Sequence, residues 1–342
     1  MSPLDADADS VMETSSPPAG ASPPPPAPGA AGIGDGGVTS TPLTPPPLVT
    51  LATPGSPTAA SLTHLIVVAG HAVFHGAPTA AAAAHPSAWT LAPFQATEAP
   101  EYIAHIQAGV AAAAADPKAL LVFSGGVTRK GCEGSEAGGY VKCAALHDWW
   151  GHAAALDGRV ATDTHARDSY ENVLFSLAAF HTATGAYPAT LTVVSWPFKR
   201  VRFGDHVATL RWPADHYAFV GVGVPGDAAT AEVGERATRR LFGEQPYGGW
   251  GVLWAKRLAR SWGGQKVGGW GALDGLVAWR GPEPYPGTLP WEEGSTGTTA
   301  AAAGGAEAMP VLGGLPDGKG LAVKAVALAG AEMGTGPAAQ GV

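Results

Sequence analysis

The segment His165-Ala166-Arg167-Asp168-Ser169-Tyr170-Glu171-Asn172 is the densest run of ionisable and amide side chains in an Ala- and Gly-rich chain. Carboxylates, a guanidinium and a carboxamide at this spacing can neutralise an anion, bind hydroxyls or position a water for acid–base chemistry. The same letters also spell a helix start. Asp168, followed three residues later by Glu171 and then by an apolar run, has the form of a capping box. A helix start offers unpaired N–H groups and a partial positive charge, which suit an anion. Capping and ligand binding both explain the segment when it is taken alone.

Other polar clusters follow short apolar runs. Gly70 and His71 follow Leu62–Ala69. Ser124, Gly125 and Gly126 follow Ala119–Phe123, with Thr128, Arg129, Ser135 and Glu136 beyond. Asp163 precedes the opening segment, and Ser195 ends Thr190–Val194 just ahead of Lys199, Arg200 and Arg202. Glycines without side chains let a phosphate or ribose approach the backbone. Lys199 and Arg202, three apart, share a helix face and with Arg167 form a positive floor. Plainer readings stand beside these: a tight turn for the Gly pair, a cap for Ser135, a solvated face for Arg200.

The elements that must position these residues are legible as alternating patterns. Apolar runs at 62–69, 119–123, 159–162, 190–194 and 217–222 read as buried parallel strands. Helices are predicted at 98–115, from Ser135, at 168–184, 198–211, 231–242 and 251–262, the last basic and Trp-bearing. This alternation predicts a Rossmann-like three-layer α/β/α domain with a mainly parallel sheet of about five strands. Every polar cluster then falls on the carboxyl edge of the sheet, where such folds bind ligands. Gly125, Glu136, Asn172 and Lys199 should face one cavity.

The remainder has a different texture. Residues 1–60 are rich in Pro, Ala, Ser and Thr without hydrophobic periodicity, the composition of a disordered tail. The domain is expected at 61–262. Residues 263–342 read as Gly/Ala-rich and largely disordered, although Trp270, Trp279 and Trp291 can touch the domain.

Composition excludes several classes. The chain has 342 residues, a formal net charge of −8 and two cysteines. An acidic chain lacks the electrostatic footprint of a nucleic-acid binder. No apolar run reaches the ~18 residues of a membrane span. No Lys or Arg precedes Lys118, which speaks against a transit peptide or a secretory leader, and two cysteines make no disulfide framework; a cytoplasmic setting is expected. Neither a Walker loop nor the G-x-G-x-x-G pattern appears at Gly125-Gly126, and Ser124 and Ser195 are not in a G-x-S-x-G elbow. His71 and His75 are four apart but carry no metalloprotease pattern, so no metal site is expected from them.

In order, the Gly-ended first strand, Ser-Gly-Gly, Ser-Glu-Ala, Ala-Arg-Asp-Ser-Tyr-Glu-Asn and Val-Val-Ser-x-x-Phe-Lys-x-x-Arg-Phe resemble the YdcF/SanA/ElyC-like family, a domain of unknown function, and its eukaryotic branch most. The resemblance covers about residues 62–260. It implies a Rossmann-like domain with a carboxyl-edge pocket formed by Gly125, Gly126, Ser135, Glu136, Asp163, Asp168, Ser169, Glu171, Asn172, Ser195, Lys199 and Arg202. The chain departs from the bacterial pattern in lacking the third Gly of the loop after Gly70, in Asp163 for Glu, and in Lys199 for His. The last change replaces a group that titrates near neutral pH with one that stays charged, favouring anion binding over proton transfer. Bacterial envelope members carry a membrane anchor, and none is read here.

Three functions are open at this point. The first is an enzyme, a hydrolase or transferase, acting on a small anionic, nucleotide-like or S-adenosylmethionine-like ligand. Gly70, Ser124, Gly125, Gly126, Ser135 and Asn172 would hold the ligand. Arg167, Lys199 and Arg202 would neutralise it, and Asp163, Asp168, Ser169 and Ser195 would bind beside them. Glu136 and Glu171 are the candidate catalytic groups, acting on a water or through a divalent cation. The second is a non-catalytic sensor using the same pocket. The third, weaker, is a scaffold working through the Pro-rich tail.

Overall fold

Each of the five apolar runs forms a strand, and all five join one parallel sheet. A computed structural model describes residues 49–129, 131–260 and 270–293. The strands are β1 (His64–Ala69), β2 (Ala119–Ser124), β3 (Val160–Asp163), β4 (Thr190–Ser195) and β5 (Tyr217–Gly221), in the spatial order β3-β2-β1-β4-β5. Register is continuous across the centre: Leu65 lies between Leu120 and Leu191, and Val67 between Val122 and Val193.

The sheet is buried on both faces because alternate residues of β1 feed two different cores. Leu65, Val67 and Ala69 pack on one side, Ile66 and Val68 on the other. All five are essentially inaccessible, and each of the four larger side chains contributes roughly 1.5–3 kcal/mol by leaving water. Helix α1 (Ala99–Ala115) supplies Tyr102, Ile106 and Val110 to the second core, and α2 (Glu136–Leu146) supplies Tyr140, Cys143 and Ala144. The first core takes α3 (Ser169–Thr184) with Tyr170, Val173, Leu174 and Leu177, and α4 (Arg200–Thr209) with Phe203 and Val207. The result is the expected three-layer Rossmann-like α/β/α fold, with the switch in strand order between β1 and β4.

Helix α3 shows how the opening segment folds. Asp168 is its N-cap, its carboxylate accepting from the Glu171 N–H, and Gly185 ends it with a left-handed φ of 78°. Glu171 does not close a capping box. Its carboxylate accepts from the Arg167 N–H instead, one residue before the cap. Two more helices follow β5: α5 (Ala228–Glu244) and α6 (Gly251–Ala259). The predicted helix at 198–211 begins with a single tight turn at Pro197–Lys199 and is regular only from Arg200.

The domain is larger than 61–262. Leu51 bridges to Val160 on the free edge of β3, and Ala59 is buried. At the other end, Leu273, Leu276 and Leu289 join the first core, and the Trp291 indole donates to the Leu210 carbonyl at 2.8 Å. Trp270 packs on Phe175 with 4.5 Å between ring centroids. The described part of the Gly/Ala-rich segment is therefore structural, built from widely spaced Leu and Trp rather than from a periodic run. A two-residue hairpin, Val73–Phe74 with Trp89–Thr90, has no counterpart among the sequence expectations; it covers α2, where Gly139 leaves room for the Phe74 backbone. Residues 1–48 and 294–342, on which the tail readings rest, lie outside the described residues, as do residues 261–269. Among the described residues no helix is long and apolar enough to cross a membrane.

Candidate functional site

A cavity of about 510 Å³ opens at the carboxyl edge where β1 and β4 part. Its floor comes from the end of β1 (Gly70 and His71), the β2–α2 connection (Thr128, Arg129 and Glu136), and the starts of α3 and α4. Helices α5 and α6 close it from above. Of the residues expected there, Gly70, Glu136, Arg167 and Asp168 line the cavity, and so do Ser169, Asn172, Lys199 and Arg202.

The remaining expected residues stand behind the wall, and their assignment to the ligand is corrected. Ser135 caps α2, its Oγ accepting from the Gly138 N–H at 3.0 Å. Ser124, Asp163 and Asn172 form one buried network: the Ser124 hydroxyl donates to Asp163 at 2.7 Å, and the Asn172 amide donates to the Ser124 carbonyl and hydroxyl at 3.1 and 2.9 Å. Asn172 thus reaches the cavity as part of its wall, with its N–H₂ already committed. Ser195 is fully buried beneath His71. Gly125 and Gly126 tie the loop to α2, their carbonyls accepting from the Ala137 and Glu136 N–H groups. They serve as clearance. A Cβ on Gly125 would stand 2.5 Å from Glu136 Oε2, and one on Gly70 would stand 2.7 Å from the same atom.

Glu171 is the main correction. Its carboxylate forms a two-pronged ion pair with Arg167, at 2.9 Å from Nε and 2.6 Å from NH2, and approaches Arg257 at 3.3 Å. Arg257 also holds Asp168, Nε to Oδ2 at 2.6 Å. Glu171 does not line the cavity. It orients Arg167, and its candidate catalytic role is replaced by a structural one. Burial alone would raise the Asp168 carboxyl, but the Arg257 charge and hydrogen bonds hold it well below the usual carboxylate range. Burial raises Glu171 above its ordinary value despite the arginines beside it.

Glu136 remains in place as a candidate acid–base group. It is buried, lies on the cavity floor, and accepts from the Thr128 hydroxyl at 2.6 Å. Lys199 is also buried, and its ammonium sits 3.4 Å from His71 Nδ1. An ammonium only donates, so Nδ1 accepts and the imidazole proton sits on Nε2, which faces Ser195 Oγ at 3.4 Å. An imidazole from the residues just after β1 thus stands beside Lys199. His71 was visible in sequence as a strand-end residue, but a lone histidine carries no signal that separates site from core.

The cavity inverts the charge of the chain. Arg129, Arg167, Lys199, Arg202, Lys256 and Arg260 line it, against the two carboxylates of Glu136 and Asp168. Arg202 pairs with Glu235 at 2.8 Å, outside the cavity lining. Sequence reasoning missed Lys256 and Arg260, because no local pattern says that α6 folds back over the sheet edge. Arg260 donates to the Arg167 carbonyl and pins that helix in place. Among the described residues no group of three His, Cys, Asp or Glu is placed to hold a metal ion. The donor set for a divalent cation is not gathered there, since Asp168 and Glu171 face arginines.

No family model matches the chain, and no curated protein or solved structure matches it either.

Proposed function

We propose that the cavity at the carboxyl edge binds a small anionic, phosphate-bearing ligand, and that the chain is a eukaryotic-type member of the YdcF/SanA/ElyC-like group. The observation that carries the reading is the lining: six cationic side chains against two carboxylates, in a chain whose net charge is −8. Glu171 and Glu235 offset Arg167 and Arg202 from behind the wall, and an anion relieves the repulsion that remains. The N-termini of α2 and α3 at the same edge add partial positive charge. This favours a phosphate over S-adenosylmethionine, whose sulfonium adds a further positive charge.

Glu136 in the same cavity favours catalysis over passive sensing, because its carboxylate can accept a proton from water. Hydrolysis or transfer of a phosphoryl-type group is the matching reaction class. Thermal-shift measurements with inorganic phosphate, nucleotides, sugar phosphates and S-adenosylmethionine test the binding claim. Phosphate compounds should raise the melting temperature most, and no stabilisation by any anion would sink it. A phosphatase and nucleotidase panel on wild type and Glu136→Gln separates enzyme from sensor; no turnover of any phosphate by wild type leaves the sensor.

A further inference from the structure

The two halves of the cavity differ in chemistry, and the division follows the elements. The sheet-edge half is polar: His71, Thr128, Arg129, Glu136 and Lys199 all come from the connections that follow strands or the helix starts that close them. The half formed by α5 and α6 presents Leu241 and Phe242 from one helix and Val252, Ala255 and Ala259 from the other. Thr238, Leu241 and Phe242 are spaced by three and four residues, as are Val252, Ala255 and Ala259, so each set is one face of its helix. Phe203, at the first turns of α4, continues the apolar surface down to the cationic floor.

This apolar half is not fully occupied by the protein itself. Val252 is 58% exposed although it lines the cavity, and Ala255 and Ala259 beside it are exposed as well. Leu253 and Arg257, on the opposite side of the same short helix, are buried in the domain. A helix that buries one face and holds an apolar second face open over a cationic floor is shaped for a ligand with two ends. Lys256 on α6 and Arg260 just past its end also line the cavity, so the apolar wall is rimmed by the charge that would hold the ligand's head.

We infer that the ligand is a phosphate monoester with an apolar body: the phosphate sits on the floor beside Lys199 and Arg129, and a compact aryl or branched-alkyl group lies between α5 and α6 against Leu241, Phe242 and Val252. The inference rests on the anion-binding reading above and adds the second half of the molecule. A sugar phosphate leaves the apolar face wet and binds less well. At about 510 Å³ the cavity is within the size range that encloses a drug-sized ligand.

Calorimetric titration of the full chain with methyl phosphate, phenyl phosphate and glucose 6-phosphate tests it. Phenyl phosphate should bind at least about tenfold more tightly than either of the others, the gain expected from burying one ring. The double variant Leu241→Asn, Val252→Asn should abolish that preference while leaving methyl phosphate binding within about twofold; neither residue is fully buried, so the fold should tolerate the change. Equal affinity of wild type for all three esters would overturn the apolar-body inference and leave the anion site standing. If wild type binds none of them, the anion site falls and this inference with it. The wild-type comparison decides the question even if the double variant does not fold.

Discussion

Asp168 and Arg257 meet across 89 residues of sequence through two hydrogen bonds, 2.6 Å from Nε to Oδ2 and 3.2 Å from NH2 to Oδ1. One carboxylate thus caps α3 and clamps α6 over the cavity. Both side chains are nearly inaccessible, at 6% and 5%. Replacing Arg257 with Met removes one partner of a buried pair and should cost about 3–5 kcal/mol in urea-denaturation free energy. Asp168→Asn retains a cap acceptor and should cost less than Asp168→Ala by about 1 kcal/mol. Equal losses for the two would show that the cap carries no stability.

Glu136 and Glu171 should separate cleanly. Glu171→Gln leaves two buried arginines under-compensated, so chemical denaturation should show a loss of a few kcal/mol. Glu136→Gln keeps its shape and its contact with Thr128 and should change stability by less than about 1 kcal/mol. Any turnover should fall by two or more orders of magnitude in Glu136→Gln. A reversed pattern would return Glu171 to the site.

Two buried histidines set an acid limit. Burial, assisted by the Arg202 charge, lowers His206 to about 3, and burial lowers His105 to about 4 against a hydrogen bond to the Val222 carbonyl and with help from Lys199. Both start from 6.5 when unfolded. Between those limits the unfolded chain binds the extra protons. Their contribution is therefore complete above pH 6.5 and is lost as pH falls towards 4 and then 3, by up to about 1.4 kcal/mol per pH unit for each. Melting temperatures recorded from about pH 7.5 to about pH 4 should fall, and His206→Phe should flatten the decline relative to its own value at the upper end.

Clearance at the glycines predicts a positional effect. Gly70→Ala puts a methyl group 2.7 Å from both Glu136 Cβ and Oε2, and 3.0 Å from the Ser124 carbonyl. Because backbone as well as side chain is met, Glu136 must move or the loop must open. Stability should fall by about 1–3 kcal/mol, and phosphate binding should weaken along with it. Unchanged thermal shifts with phosphate would separate Glu136 from the anion site.

The three central strands were legible because each is a short apolar run buried on both faces, whereas the edge strands β3 and β5 are only partly buried and were placed by their position in the alternation. The site was legible only as far as its local letters reach. Lys199 and Arg202 could be placed together by helical spacing, and both line the cavity. Arg257, Lys256 and Arg260 could not, since the partners Asp168 and Arg167 are about ninety positions away and the intervening chain gives no register. Glu171 misled for a physical reason. An Arg and a Glu four apart at a helix start read the same whether they grip a ligand or each other, and the two-pronged pair at 2.9 and 2.6 Å shows that they grip each other. Leu273, Leu276 and Leu289 were missed because isolated leucines among glycines have no period.

Those three leucines bear on how the protein is made. The first core faces α3 and α4, but it is completed only by residues that emerge about 70 positions after β5. At ordinary elongation rates the nascent chain waits roughly 4–14 seconds for the leucines that complete this core. During this interval the part of the core that those leucines cover is open to other chains or to a chaperone. A message truncated before Leu273 would yield a product that keeps that part of the core open.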